Sequence, residues 1–171
     1  RSHAAANLER LSGLAMYDLD HTGQRTAEIK NMLRSLPYVA YTHTSISGEG
    51  LKIVIYLDVR TAEEYPTAYA ICRRTLEVLA NHPCDGQCAR ITQPCSCVWD
   101  PDAYFTPTPQ PYPWRAELAA NPSLATLAAP SALPGAGNAN GSPSGNGKVS
   151  PIPPTTDACG YIEAFIRTFA S

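Results

Sequence analysis

Residues 38–59 read Tyr-Val-Ala-Tyr-Thr-His-Thr-Ser-Ile-Ser-Gly-Glu-Gly-Leu-Lys-Ile-Val-Ile-Tyr-Leu-Asp-Val, and this stretch decides the fold. Tyr38 to Ile46 is rich in β-branched and aromatic residues, and Ser47-Gly48-Glu49-Gly50 is a turn. From Leu51 to Val59, Leu51, Ile53, Ile55, Leu57 and Val59 alternate with Lys52, Val54, Tyr56 and Asp58. A period of two sends each set to its own side of a sheet, so the stretch predicts a hairpin with one face buried.

Elements flank it on both sides. Gly13 to Asp18 is a short apolar run ending in acids, which predicts a buried strand. Between them, Ile29, Met32, Leu33 and Leu36 recur at helical spacing and Pro37 ends the run, giving a helix over Arg25 to Leu36. A long helix over about Ala62 to Asn81 follows the hairpin, and Ala89 to Trp99 reads as a fourth extended stretch. The order β-α-β-β-α-β predicts an α+β domain with a ferredoxin/RRM-like antiparallel sheet and both helices on one face.

The chain of 171 residues allows one such domain plus attachments. The domain is expected over residues 1–118. From Asn121 to Thr156 the only charged residue is Lys148, and Pro and Gly recur throughout. Such composition offers little apolar surface against an ordering cost of roughly 1–2 kcal/mol per residue, so 119–156 reads as a flexible linker. Tyr161, Ile162, Phe165, Ile166 and Phe169 then mark a short helix over 157–171, read as the start of a further helical domain. Thirteen Lys and Arg against fifteen Asp and Glu give a charge of −2, which removes any case for a nucleic-acid partner resting on bulk positive charge. No apolar run approaches the roughly 18 residues of a membrane span, and no apolar leader opens the chain, so a cytoplasmic location is expected.

Three segments carry candidate chemistry. Asp18 and Asp20 flank Leu19 at the end of the first strand, and residues two apart on an extended chain share a side, so both carboxylates could meet one hard cation. The same acids also read as a turn that caps the next helix. Ser45-Ile46-Ser47-Gly48-Glu49-Gly50-Leu51-Lys52 could let backbone N–H groups approach an anion, with Lys52 adding charge. A plain glycine hairpin turn reads equally from it. Asp85, between the long helix and the fourth extended stretch, is a third carboxylate that could reach the first two. Cys84, Cys88, Cys95 and Cys97 with His82 allow a zinc-stabilised interaction domain as an alternative, although their spacing is no knuckle repeat. Of the histidines, His21 beside the acids is the stronger candidate, and His43 reads as a surface residue.

In combination, Asp18-Leu19-Asp20-His21, the Ser45-x-Ser47-Gly48-x-Gly50-Leu51-Lys52 hairpin, and Asp85 ahead of Asp100-Pro101-Asp102-Ala103-Tyr104 resemble a known family. Over residues 7–114 the chain resembles the N-terminal domain of virulence-associated protein E (VirE)-type proteins, a branch of the archaeo-eukaryotic primase and primase-polymerase superfamily. The resemblance implies Asp18, Asp20 and Asp85 as catalytic ligands of Mg²⁺ or Mn²⁺. It implies Ser45, Ser47, Gly48, Gly50 and Lys52 as a nucleotide-binding turn, with His21 and Arg90 beside the nucleotide. Gln93 stands where an arginine is expected, and Arg90 lies three residues early. The implied partners are a nucleoside triphosphate, a DNA template and a helicase elsewhere in a longer chain. The implied setting is a replication or mobile-element protein. The rival expectation is a noncatalytic nucleic-acid-binding module of the same fold.

Overall fold

The expected hairpin forms in a computed structural model that describes residues 8–96 and 98–128. Strand β1 spans Leu14–Leu19, helix α1 Thr26–Arg34, strand β2 Val39–Thr44 and strand β3 Leu51–Tyr56. Helix α2 spans Glu64–Ala80, strand β4 Tyr104–Phe105 and helix α3 Trp114–Ala120. The domain is thus α+β, with an open antiparallel four-stranded sheet in the order β1-β3-β2-β4.

Alternation fixes what each face holds. Ala15, Tyr17 and Leu19 of β1 and Leu51, Ile53 and Ile55 of β3 join one core with Ile29 and Leu33 of α1 and Tyr65, Ala68, Tyr69, Ile71, Cys72 and Leu76 of α2. Both long helices therefore lie on one side, as expected. Tyr17 stacks on Tyr69 with ring centroids 4.5 Å apart, and its hydroxyl donates to the Tyr69 carbonyl at 3.3 Å, which satisfies the polar end of a fully buried ring. Burying each Leu or Ile of this set contributes roughly 1.5–3 kcal/mol. The other face carries Met16 and Asp18 of β1 opposite Val54 and Lys52 of β3.

Two expectations are corrected. Among the described residues of 89–99 no strand forms: the Gln93 amide donates back to the Arg90 carbonyl at 2.9 Å, and Pro94 has no N–H for a ladder. The fourth strand is instead Tyr104–Phe105, beside β2 at the edge away from β1, whereas a ferredoxin-like unit sets its last strand beside β1. The fold also runs past residue 118. Helix α3 and a 3₁₀ segment over Pro122–Ala128 pack on α2, with Leu118 and Leu124 against the core, so the first part of the expected linker is folded. The rest of that linker and the 157–171 helix lie outside the described residues. Among the described residues no helix is long and apolar enough to cross a membrane.

The chain between α2 and β4 is pinned near its end by Asp100. Its Oδ2 takes the Lys30 ammonium at 2.5 Å and the Thr44 amide at 2.7 Å, and its Oδ1 takes the Asp102 amide at 2.9 Å. Burial opposes ionisation of this carboxyl, but the bonds from Lys30, Thr44 and Asp102 outweigh it and hold the group down at about 2. A depressed carboxyl stabilises the fold above its ordinary value of 3.8 and stops doing so as pH falls through 2. Asp100→Asn is therefore expected to cost about 3 kcal/mol at pH 7, because it leaves the Lys30 charge buried without its partner. Urea unfolding at stepped pH should find that deficit shrinking between about pH 4 and pH 2. A deficit that stays constant over that range would contradict the assignment.

Candidate functional site

Among the described residues no helix covers the second face of the sheet, and the chain over 85–96 crosses it. Asn81 ends α2 in the left-handed conformation, φ 44°, and turns the chain back under β1. Arg25 holds this end of the helix by donating to the Ala80 and Asn81 carbonyls. His82 Nε2 bonds the Asp20 carbonyl at 2.6 Å, so Nε2 carries the proton. The Asp85 amide then donates to the Asp18 carbonyl at 2.8 Å. That last bond sets two carboxylates side by side. Asp85 also caps the 3₁₀ turn Gly86–Cys88, its Oδ1 accepting from the Gln87 amide at 3.0 Å.

Between this segment and the sheet lies a cavity of about 320 Å³. Met16, Asp18 and Lys52 form its floor, and Asp85, Cys88, Arg90 and Gln93 stand among the residues of its wall. Asp18 is the central group: its side chain is 6% exposed, Oδ2 is paired with the Lys52 ammonium, and Oδ1 is buried with no hydrogen-bond partner. An orphaned carboxylate oxygen is costly, roughly 1–3 kcal/mol or more for a charged group, and fits a site that takes a further cation. Asp18, Asp85 and Cys88 each offer a ligand atom within 4.8 Å of the others. Burial first, and then the Asp85 charge, push the Cys88 thiol up to about 11, so it carries its proton at pH 7.

The expected residues divide. Asp18, Asp85, Lys52 and Arg90 meet at the cavity, and Gln93 lines it beside Arg90. An arginine is thus present on the wall even though it comes three residues early. Asp20 does not join the ligand group, because β1 ends at Leu19 and the chain turns away through His21 at φ 57°, leaving Asp20 exposed. His21 is exposed as well and faces Glu49 at 3.8 Å. The hairpin turn is bonded largely to itself: the Ser45 amide donates to the Gly50 carbonyl, the Gly48 amide to the Ser45 carbonyl, and the Gly50 amide to Ser45 Oγ, which also meets Ser47 Oγ. Its N–H groups are largely spent inside the turn. Cys84 is in the apolar core beside Cys72, and Cys97 lies outside the described residues, so the cysteine-and-His82 cluster does not form among the described residues.

Cys88 was expected only as one of a zinc-binding cysteine group and lies instead in the Asp18 and Asp85 group, and His43, expected at the surface, is buried. His43 is 1% exposed and pairs with Lys52 in the β2–β3 register, which extends a row Asp18, Lys52, His43 across three strands. Its Nδ1–H donates to the Thr44 carbonyl at 2.7 Å, leaving Nε2 as an acceptor 3.9 Å from Cys95 Sγ. Burial pushes the imidazole below its ordinary 6.5, so it stays neutral at pH 7. The alternation that placed Lys52 could have placed His43, had the two strands been paired by counting back from the turn.

This geometry defines a class: a small α+β domain whose helix-free sheet face holds an acid, lysine and thiol cavity under a long loop. The chain belongs to the family of the BT4734-like, N-terminal domain, whose profile matches residues 1–105. No curated protein and no solved structure matches the chain.

Gly50 ties turn and site together, since a Cβ there would meet the Leu19 carbonyl at 2.6 Å and Asp20 Cα at 3.3 Å. Backbone cannot step aside as a side chain can, so Gly50→Ala is expected to cost about 1–3 kcal/mol by pushing the turn off β1. Thermal unfolding measures it. Gly48→Ala, where a Cβ meets nothing, should lose only the smaller cost of its φ of 78°.

Proposed function

We propose that the domain is the primase-polymerase-like nucleotidyltransferase of a replication or mobile-element protein, binding a divalent cation and a nucleoside triphosphate. One observation carries the reading: the unpartnered Asp18 oxygen and Asp85 share a cavity with Lys52 and Arg90. Carboxylates beside cationic side chains are what a metal-bound triphosphate requires, the acids for the ion and the cations for phosphate oxygens. Asp18 and Asp85 would hold Mg²⁺ or Mn²⁺, which when bound neutralises phosphate charge and activates an attacking hydroxyl. Lys52 is paired with Asp18 in this structure and would be released by such an ion to contact phosphate. Arg90, exposed at the cavity wall, reaches the same anion with a planar guanidinium. A DNA template would lie along the open face, and a helicase would belong to a longer chain.

A second reading, a noncatalytic nucleic-acid-binding module, is favoured by Asp20, whose exposure leaves two acids at the site instead of three. Primer extension with Mg²⁺ or Mn²⁺ separates the two. The nucleotidyltransferase reading expects metal-dependent extension that Asp85→Asn lowers roughly 100-fold or more. Template binding with no extension, in this chain and in a longer parent alike, would favour the second.

Nucleotide affinity tests the cationic half independently. A charge-assisted phosphate contact is worth about 1.5–3 kcal/mol, so Lys52→Ala and Arg90→Ala should each weaken triphosphate binding about tenfold or more. Gln93→Arg should strengthen it. Titration calorimetry with a nucleoside triphosphate and Mn²⁺ reads all three. Affinities unchanged within error would remove the cavity from the nucleotide site.

A further inference from the structure

Cys88 separates this cavity from a hard-ion site made only of oxygens. It is buried, it lines the cavity, and its Sγ lies 3.7 Å from Asp85 Oδ2. A tetrahedral ion at roughly 2.0 Å from oxygen and roughly 2.3 Å from sulfur sets those two ligands about 3.5 Å apart. The observed edge is therefore already close to that of a ligated site. Asp18 supplies a third donor within 4.8 Å, and its Oδ1 is the buried oxygen without a partner. The 3₁₀ turn Gly86–Cys88 joins two of the three donors on one short, capped segment, so their spacing is set by backbone.

We infer that Asp18, Asp85 and Cys88 form a site for a borderline, thiol-seeking divalent cation of the Zn²⁺ class, with the Cys88 thiolate as a direct ligand and solvent or phosphate oxygen in the fourth position. The inference rests on the metal site of the nucleotidyltransferase reading and revises its ion, from Mg²⁺ or Mn²⁺ to one of the Zn²⁺ class. Mg²⁺ takes oxygen donors in a near-octahedral shell and gains little from sulfur, whereas Zn²⁺ and Co²⁺ bind thiolate and carboxylate together. Binding releases the Cys88 proton to solvent and frees Lys52 from Asp18, so the ion adds two charges where a proton and an ammonium leave. The cation-plus-acid pair Lys52 and Asp18 thus holds the site open for an ion.

Co²⁺ titration of the intact chain reads the assignment directly, because a thiolate ligand gives a sulfur-to-cobalt charge-transfer band in the near ultraviolet. One Co²⁺ per chain is expected, with a band that Cys88→Ser removes, Cys95→Ser leaves, and a thousandfold excess of Mg²⁺ does not bleach. A band that survives in Cys88→Ser, the absence of any band, or displacement by Mg²⁺ would overturn it. X-ray absorption of the Zn²⁺-loaded wild-type chain needs no variant to fold, and it should find one sulfur at about 2.3 Å with oxygens completing the shell. No sulfur, or two or more, would overturn the site. Nucleotide binding is followed in the same samples. A Cys88-dependent band in protein that binds no nucleoside triphosphate overturns the polymerase reading and supports the ion site, whereas nucleotide binding without that band overturns the ion site alone.

Discussion

Both long helices pack on one side of the sheet, and the opposite face must be covered by chain that has no ladder of its own. The candidate site follows from how that cover is attached. A loop over a sheet must bond its polar backbone groups individually, and here the Asp85 amide uses the Asp18 carbonyl while Asp100 closes on Lys30 and Thr44. The first attachment brings an acid from the loop beside an acid from the strand. The second commits a buried charge pair to a structural role, which explains why Asp100 and Lys30 are not available to a ligand although both types of side chain would suit one. Between the two anchors the loop stands off the sheet and leaves the cavity.

Placing Asp18 on the uncovered face has its own consequence. Tyr17 and Leu19 on either side of it fill the core, so Asp18 is fixed by alternation and cannot swing out to solvent without removing them. The carboxylate is buried by the loop, and Lys52 across the β1–β3 pairing is the counter-charge that makes the burial tolerable. One oxygen remains without a partner, so the polar accounting on this face does not close from protein groups alone among the described residues. A structural ion pair would spend both oxygens, as Asp100 does. The contrast between Asp18 and Asp100, two buried acids each paired with a lysine, is that the former keeps an oxygen without a partner while the latter spends both as a clamp.

The helices, the hairpin and the inward row of β3 were legible because each repeats its period over several residues. The edge strand was not, since Tyr104–Phe105 has two residues and no alternation to read, while Ala89 to Trp99 has strand-forming residues but a proline and a turn inside them. Asp18, Asp85 and Lys52 could be named from the sequence, yet the pairing of Asp18 with Asp20 relied on a strand that continues one residue further than it does. A rule of alternation holds only while the ladder holds. Cys88 was read as one of a group of cysteines, and what sets it beside Asp85 is its position three residues later on a 3₁₀ turn, which no sequence spacing distinguishes from an ordinary loop. His43 was hidden for the opposite reason: a histidine between threonines looks solvated until the loop that buries it is in place.

If the proposed reading holds, the charges around the cavity would favour two ligands together over either one alone. Asp18 and Asp85 balance Lys52 and Arg90, so the cavity has no strong preference of sign before anything binds. A divalent ion alone would crowd Lys52 and Arg90 with like charge, and a polyphosphate alone would face the two acids at close range. Each ligand removes the repulsion that the other meets, and linkage requires that the help be mutual. On the proposed reading the Lys52 ammonium would be the moving part of that coupling: it neutralises Asp18 in this structure and would become a phosphate contact once an ion took its place. An ion pair able to exchange partners in this way would cost little in the unliganded fold and would bias the proposed site toward a metal-bound phosphate over either component.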